Sequence, residues 1–543
     1  MLACSPGCRA SPVFHVDEGI FSCYSTTYLP VGKHYTKCWK RTNSFASHGT
    51  EEEPVLENYR HPGEFEPQSD VFMEWIPDAY QMKGYDNSRS CAEIVKALQE
   101  FGGVTLHINC GAEGVLERAK SSLAEKGVDT ADIRFVQFAD PNFYVRDNGP
   151  TVMVDDRGGR ILINPNWSYY GTLPPDDPYC VQSRIAAVQM GVSLGIFDVV
   201  NSDVVSEGGD REFNGQGVMM CIEDTEVRKR NPGLTKEQVE AEFKRLYNVE
   251  KIIWIPQPLL EDDDFRMGPL EYRDGVPYLG SSFAAHIDEL CRFVDANTVV
   301  LAEVTDDEAA ESAIGAENKR RIEAAYDVLS KATDVHGNPF AIKRMPVPIS
   351  IDYVLTEDDE NYGLYEGPVM EMGGAFADGT PWPGGPIHLI ASTGYCNFLI
   401  CNGVVIGQRY WHEGMDPAIK GKDEAAQAVL EECFPDRTVV MVDSLALNMT
   451  GGPDTGLIII DTLKRVREAG GADYSYASDY DVVPLVLPHG SPHTLPALSQ
   501  NQQVYLSWCH AFHMFHLIIL IHGQFNCRKP DLSEIDGGKI HSF

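Results

Sequence analysis

The chain has 543 residues, 43% of them apolar and 10% aromatic, which is enough to bury a sizeable core. Its formal charge of −36 argues against a nucleic-acid partner and against an anionic membrane surface, because both need a basic footprint, and it suits a small cationic substrate. Its 14 cysteines form no CxxC pair, which argues against a disulfide scaffold and against a zinc knuckle.

The two ends of the chain predict a cytoplasmic protein with no membrane partner. The first residues, "MLACSPGCRASPVFHVDEGIF", lack the continuous apolar core of a signal peptide. The apolar run "MFHLIILIHG" near the other end is about ten residues long, which is too short to span a bilayer.

Regular structure is expected to begin after an irregular leader, residues 1–59. The stretch "SCAEIVKALQEFGG" has helical spacing of its apolar residues, the strand-like "VTLHIN" follows it, and a second helix is expected around Val115 to Glu125. The strand "IRFVQF" and the polar turn "ADPNFYVRDNGP" come next. Two apolar runs in "TVMVDDRGGRILIN" are joined by Gly and Asp, which predicts a hairpin.

The same order of elements recurs along the chain. The segment "LTKEQVEAEFKRLY" offers Thr235 and Gln238 as a capping box, and Asn402-Gly403 predicts a two-residue hairpin turn. We count roughly five helix–strand–hairpin units between about 60 and 460, which indicates an α/β fold. Periodicity alone leaves two architectures open, a closed propeller-like ring of modules and an ordinary doubly wound sheet.

Two acidic motifs fall where apolar strands are expected to end. In "YVRDNGP" the Gly-Pro pair forces a turn, which places Asp147 at a strand end. In "SEGGDREFNGQG" paired glycines directly after Glu207 allow a tight turn that can hold a carboxylate facing inward. Taken singly, each motif also fits a local structural role, a hydrogen-bonded turn or a glycine bulge.

A third motif, "AAHIDELC", places His286 and Asp288 two positions apart, so they share a face on a strand and not on a helix. A lone histidine is often structural, and a metal site would need a third convergent ligand. A histidine with carboxylates from separate strand ends could hold a planar cation and move protons. The three interpretations stay open on the residues alone.

Six segments of the chain stand out together: "PGEFEPQSDVFMEW", "FYVRDNGP", "EGGDREFNGQG", "RNPGLTKEQVEAEFKRLYNVEKIIWIP", "HIDELCRFVDANTVVLAEV" and "GYCNFLICNGVVIGQRYWHEGMDPA". In this order they resemble the agmatine deiminase and bacterial-type peptidylarginine deiminase family of guanidine-modifying, pentein-type enzymes. The resemblance spans about residues 60 to 452, and it implies a pseudosymmetric five-bladed α/β propeller domain there, with a divergent tail over 453–543.

The resemblance implies a role for each candidate residue. Asp147 and Asp288 would bind the substrate guanidinium, and Glu207 would hydrogen-bond the site or orient the histidine. His286 would act as general acid for departing ammonia and then as general base for water. A cysteine thiolate would form a covalent thiouronium intermediate, with no metal and no organic cofactor.

The nucleophilic cysteine is missing where the resemblance places it. The family pattern is close to GGGxHC, whereas Gly451 and Gly452 are followed here by "PDTGLIIID". The tail cysteines, Cys509 and Cys527, lie in unrelated contexts, and Ser542 in "DGGKIHSF" is a weak substitute because a serine lacks thiolate nucleophilicity. Either the chain is an altered form of a deiminase or it is an inactive guanidinium-binding relative, with a metal-dependent hydrolase as a distant alternative.

The substrate is expected to be a small guanidinium compound, agmatine or arginine, or an arginine within a peptide. The acidic stretches "EDDDFRMGPLEYRDGVPYLGSSFA" and "TEDDENYGLYEGPVMEMGGAFADGTPWPGGP" are candidates for loops that contact the far end of the substrate. Assembly into an oligomer of identical chains stays open.

Overall fold

The computed structural model describes residues 56–77, 86–112, 114–359, 361–449 and 458–461, all within one compact unit that spans 47–471. The candidate positions Gly451, Gly452, Cys509, Cys527 and Ser542 lie outside the described residues. Among the described helices, none is both long and apolar enough to cross a bilayer.

Five small sheets share one pairing pattern, and we call them units one to five. In each unit a central strand pairs antiparallel with one neighbour and parallel with another. The strands are, for unit one, Ile458–Asp461, Asp70–Glu74, Thr105–Asn109 and Arg134–Val136; for unit two, Tyr59–Arg60, Thr151–Asp155, Arg160–Asn166 and Val199–Val205; for unit three, Glu212–Phe213, Val218–Ile222 and Lys251–Ile255; for unit four, Cys291–Phe293, Thr298–Glu303 and Ala341–Pro346; and for unit five, Leu399–Ile400, Val404–Arg409 and Thr438–Asp443.

Helices carry the chain between the parallel strands of each unit, because a parallel pair needs a crossover connection. Their buried residues pack into the apolar clusters beneath the sheets. The described α-helices of more than one turn are Asn87–Ala97, Val115–Glu125, Pro178–Ser193, Lys236–Tyr247, Asp306–Glu311, Ala313–Leu329, Tyr362–Glu371 and Pro417–Cys433.

Several elements confirm what the sequence predicts. The second helix has the expected bounds, Val115–Glu125. Thr235 and Gln238 form both hydrogen bonds of a capping box at the start of Lys236–Tyr247. Cys401 and Val404 exchange backbone hydrogen bonds around the Asn402-Gly403 turn.

A sixth sheet was not predicted. Its strands are Glu271–Arg273, Val276–Gly280, Ile387–Ile390 and Asp352–Leu355, and Tyr362–Glu371 is the helix beside it in sequence. The strands Glu271–Arg273 and Val276–Gly280 lie in the first acidic stretch and the helix lies in the second, although both stretches were expected to be loops. The strands Asp352–Leu355 and Ile387–Ile390 flank the second stretch. Hydrophobic side chains such as Leu279, Tyr353 and Val369 are buried there, so the acidic residues lie on a folded layer.

The segments that join consecutive units carry the candidate site residues. We call them the first to fifth connections, residues 137–150, 206–211, 256–290, 347–398 and 444–457. Asp147 lies in the first connection, Glu207 in the second, and His286 and Asp288 in the third. The candidate site residues therefore lie at equivalent positions of the repeat, in the segments that join one unit to the next.

Candidate functional site

Three one-turn helices present the candidate residues. Asp147 lies in the turn Val145–Asn148, Glu207 caps the turn Gly208–Asp210, and His286 caps the turn Ile287–Glu289, which contains Asp288. The spacing of His286 and Asp288 places both on one face if they lie on a strand, and not if they lie on a helix. The structure shows a cap and a tight turn instead, and this arrangement also brings the two side chains together.

The three motifs converge on Gly209. A Cβ on this residue would collide with His286 Nδ1 and would lie 2.8 Å from Asp147 Oδ1 and 3.0 Å from Asp288 Oδ2. A Cβ on the preceding Gly208 would collide with the backbone carbonyl of Arg146. Neither glycine has a positive φ, so both are required by close approach rather than by turn conformation.

Asp147 is buried and already hydrogen-bonded on both oxygens. The Gly209 N–H donates to Oδ1 at 3.0 Å, and the Tyr170 hydroxyl donates to Oδ2 at 2.8 Å. Burial raises the pKa of Asp147, and the nearby positive charge of His286 opposes that rise. A carboxylate has about four acceptor positions, so Asp147 can still receive a guanidinium N–H.

Glu207 connects the histidine to a buried arginine. Arg230 Nε donates to both Glu207 oxygens, at 2.8 and 2.7 Å, and His286 Nε2 lies 3.4 Å from Oε2. Burial acts to raise the pKa of Glu207, but the charges of Arg230 and His286 outweigh burial and hold it below its ordinary value. Glu207 is therefore ionised beside the imidazole.

The backbone before His286 is strained, and a buried carboxyl group accepts a hydrogen bond from it. Ala285 is buried with φ 59°, a left-handed conformation that costs a residue with a Cβ about 1 kcal/mol. The His286 N–H donates to Asp262 Oδ2 at 2.7 Å, and the Ser282 hydroxyl donates to Oδ1 of the same carboxyl. Burial raises the pKa of Asp262 to about 7.

His286 is a cation at neutral pH. Burial acts to lower its pKa, but the surrounding carboxylates, Asp147 first among them, raise the pKa of His286 to about 9. Its Nδ1 lies 3.6 Å from Asp147 Oδ1. A protonated imidazole among carboxylates can release a proton to a leaving group and then accept one from water.

Asp288 has an unused oxygen. The residue is 2% exposed, and Oδ1 has no hydrogen-bond partner among the described residues. Burial raises the pKa of Asp288 to about 6, against the opposing charges of His286 and of the arginines nearby. A buried oxygen without a partner costs about 1–3 kcal/mol, and a cationic ligand would remove that cost.

An aromatic pocket opens beside Asp147. Its walls include Phe143, Tyr169, Tyr170, Phe283 and Tyr365, and none of the described residues that line it is charged. Phe283 and Tyr365 come from the two acidic stretches, so those stretches reach the pocket through aromatic side chains.

The last described residues of the fifth connection also lie against this pocket. The Tyr353 hydroxyl donates to the Met449 carbonyl at 2.9 Å and lies 3.4 Å from the hydroxyl of Tyr365, which lines the pocket. Met449 therefore lies near the wall of the pocket.

None of the described cysteines provides an activated thiol. Cys180 packs with Tyr170 and Ala284, near the site, and burial raises the pKa of its thiol to about 12. The described part of the chain also contains no group of three His, Cys, Asp or Glu side chains that could hold a metal ion.

The sequence matches a known family over most of its length. The family of Porphyromonas-type peptidyl-arginine deiminases matches residues 60–268 and 273–453. The chain belongs to this family. Agmatine deiminase of Pseudomonas syringae pv. tomato is 27% identical over 409 residues, which cover 74% of this chain and 94% of that protein. A putative agmatine deiminase of Streptococcus mutans is 28% identical over 409 residues, with the same coverage of 74% and 94%.

Solved structures of the family share the fold. A putative agmatine deiminase superposes with a TM-score of 0.58 at 25% identity, covering 76% of this chain and 98% of its own. Agmatine deiminase of Enterococcus faecalis has a TM-score of 0.57 at 21% identity, covering 76% and 98%. The putative arginine deiminase of Porphyromonas gingivalis has a TM-score of 0.53 at 19% identity, covering 74% and 98%.

The structure brings together all four residues singled out from the sequence, and it adds three that sequence reasoning missed. Tyr170, Arg230 and Asp262 contact Asp147, Glu207 and the His286 backbone, respectively. Tyr170 precedes a glycine in an aromatic doublet, which is typical of a packed turn. Asp262 lies in an acidic run that is typical of a solvated loop. Their local patterns do not reveal their partners.

Proposed function

We propose that this chain binds the guanidinium group of agmatine between Asp147 and Asp288, at a site built for hydrolytic deimination. The observation that supports it most strongly is the convergence of His286, Asp147 and Asp288 on Gly209, with an unused buried oxygen on Asp288. Paired carboxylates match the fork of guanidinium N–H donors. The family membership and the agmatine deiminase relatives point the same way.

In a chain that carries the cysteine of the family pattern, the proposed reaction converts agmatine and water to N-carbamoylputrescine and ammonia. A thiolate attacks the guanidinium carbon and forms a C–S bond, and His286 gives its proton to the nitrogen that leaves as ammonia. His286 then takes a proton from water, which attacks the same carbon, and the C–S bond breaks to restore the thiolate. A pKa of about 9 supplies His286 with the proton that the first of these transfers needs at neutral pH.

The pocket favours agmatine over free arginine. Arginine carries an α-carboxylate, and the described residues of the pocket include no cation to pair with it. The terminal ammonium of agmatine can instead lie over aromatic faces such as those of Tyr169 and Phe283. Turnover of arginine or peptidyl-arginine to citrulline is therefore the less favoured reaction.

A second candidate function is guanidinium binding without turnover. It is favoured by the sequence after Gly452, where Pro453 follows and no cysteine occurs before Cys509. The binding residues lie in other connections, so recognition does not require a thiol at that position.

A colour assay for ureido products tests both candidates. The unaltered chain is compared with a triple variant, Pro453→Gly, Thr455→His and Gly456→Cys, that restores the family pattern after Gly452, using agmatine, arginine and an arginine peptide. We expect turnover only in the restored chain, with agmatine as the best substrate.

The matched control carries Gly456→Ser in place of Gly456→Cys and should be inactive. Turnover by the unaltered chain would contradict the need for a restored cysteine. Failure of the unaltered chain to bind agmatine in calorimetry would reject both candidates.

A second part of the proposal concerns the arrangement of the five units. We propose that the five units are the blades of a pseudosymmetric ring over about residues 60–452, with the five connections meeting at its centre. The shared strand pattern of the units and the convergence of three connections on Gly209 support it.

A further inference from the structure

Tyr170 is the neighbour of Asp147 that the proposed chemistry leaves unused. It is 4% exposed, its hydroxyl donates to Asp147 Oδ2 at 2.8 Å, and its ring centroid lies 5.7 Å from that of His286. Burial and the charge of Asp147 raise the pKa of the Tyr170 phenol well above its ordinary value, so it stays a donor. The same ring lines the aromatic pocket.

The backbone that carries Tyr170 is strained. Tyr169, Tyr170 and Gly171 have φ values of 46°, 57° and 76°, so two tyrosines in a row are left-handed. Such a conformation is unfavourable for residues with a Cβ and persists only where surrounding contacts fix it. Here the Gly171 N–H donates to the Ser168 hydroxyl at 2.9 Å, and Tyr170 packs edge-on against Trp167 and Phe283.

We propose that Tyr170 is a positioning residue, whose hydroxyl fixes the Asp147 carboxylate in the orientation that receives a guanidinium group. The inference rests on the proposed function. With Oδ1 held by Gly209 and Oδ2 held by Tyr170, the carboxylate has a single orientation, and its remaining acceptor positions are available to the ligand.

The hydroxyl also favours the ionised form of Asp147. A hydrogen bond to the charged form lowers the pKa of a carboxyl group, and Asp147 has two such bonds in a buried setting. The other titratable groups around it, His286, Glu207 and Asp288, remain in place when the Tyr170 hydroxyl is removed. Its removal should raise the pKa of Asp147 further, since that hydrogen bond stabilises the charged form.

Tyr170→Phe removes only the hydroxyl, and Tyr179→Phe is its matched control. The Tyr179 hydroxyl donates to the Pro141 carbonyl at 2.8 Å, so the control loses one hydrogen bond without losing a contact to Asp147. Calorimetry of agmatine binding by the full chain, from pH 5.5 to 8.5 at constant ionic strength, gives the profile for each protein. The midpoint of the acid limb should move up by about one pH unit in Tyr170→Phe, with affinity on the acid side of the midpoint reduced about tenfold, and should not move in the control.

A second measurement needs no ligand. Histidine-labelled protein allows the His286 ring to be followed by NMR, with His286→Gln identifying its signal. The His286 ring lies beside Asp147, so its chemical shift also reports the ionisation of that carboxyl group as a second inflection on the acid side. This acid inflection should move to higher pH in Tyr170→Phe and stay unchanged in Tyr179→Phe.

Three outcomes decide the matter. A shifted binding profile and a shifted acid inflection of the His286 ring in Tyr170→Phe alone support the proposal. Coincident profiles and coincident ring titrations overturn it. If the unaltered chain fails to bind agmatine, the proposed function is rejected, and the ring titration still supports or overturns the positioning role of Tyr170.

Discussion

Arg230 Nε donates to both carboxylate oxygens of Glu207, with both side chains almost completely buried. Arg230 Nη2 also donates to the Ala284 carbonyl at 2.6 Å, two residues before His286. One guanidinium group therefore fixes both the carboxylate beside the imidazole and the backbone that leads to it. Removing one partner of a buried ion pair leaves an uncompensated charge.

Arg230→Met should lower the unfolding free energy by roughly 3–5 kcal/mol, because the buried carboxylate of Glu207 loses its counter-ion. Glu207 then takes up a proton, and the pKa of His286 falls. Arg230→Lys keeps the charge without the planar fork and should give an intermediate result. Urea unfolding and NMR titration of the His286 ring measure the two effects.

Arg320→Met is the control for this pair. Arg320 is exposed and pairs with Glu317 on the surface, so its loss should cost less than about 1 kcal/mol. Equal stability losses at 230 and 320 would show that the buried pair has no special role.

Asp288→Asn should weaken agmatine binding by about ten- to a hundredfold, because the amide keeps the shape of the carboxyl group and removes its charge. Titration calorimetry at pH 7.5 measures it. Asp295→Asn makes the same change at an exposed turn and should bind like the unaltered chain. Unchanged binding in Asp288→Asn would move the guanidinium site elsewhere.

Gly209→Ala should abolish agmatine binding, because a methyl group there occupies the point on which His286, Asp147 and Asp288 converge. Gly421→Ala lies in the helix Pro417–Cys433, where a Cβ meets open space, and should leave binding intact while adding up to about 1 kcal/mol of stability. Calorimetry and thermal unfolding of both variants separate the two effects. Normal agmatine affinity in Gly209→Ala would refute the crowded geometry.

The charge of His286 should make stability depend on pH. Its folded pKa of about 9 is above the ordinary value of 6.5, so the stabilisation is fully present below pH 6.5 and is lost as pH rises through 9. The shift corresponds to at most roughly 3 kcal/mol. Urea unfolding at pH 6.5 and 9.5 should show a steeper loss in the unaltered chain than in His286→Gln. Parallel losses in the two proteins would contradict the raised pKa.

Local signals predicted much of the fold. The helix Val115–Glu125 and the capping box of Thr235 with Gln238 depend on residues within a few positions of one another, and both are confirmed. The sixth sheet was missed because its strands are short and because its central parallel pair, Val276–Gly280 with Ile387–Ile390, joins segments about a hundred residues apart. Pairing across such a distance leaves no local periodicity.

The sequence pointed to four candidate residues that the structure brings together. It did not reveal the residues that hold those four in place. Asp147, Glu207, His286 and Asp288 stand in recognisable motifs. The partners that hold them are contributed by other segments: Tyr170 is 23 positions from Asp147, and Arg230 is the same distance from Glu207. The paired glycines after Glu207 suggested a tight turn, whereas the structure shows that they make room for Arg146 and for the convergent side chains. Such a requirement is visible only in three dimensions.

The distribution of the site over separate connections has an evolutionary consequence. The carboxylates and the imidazole belong to the first three connections, whereas Gly451 and Gly452 belong to the fifth. A mutation confined to one connection can abolish turnover and leave ligand capture intact. Ligand binding and catalysis can therefore be lost separately during the evolution of such proteins. A lineage that no longer catalyses the reaction can still be selected for ligand binding alone.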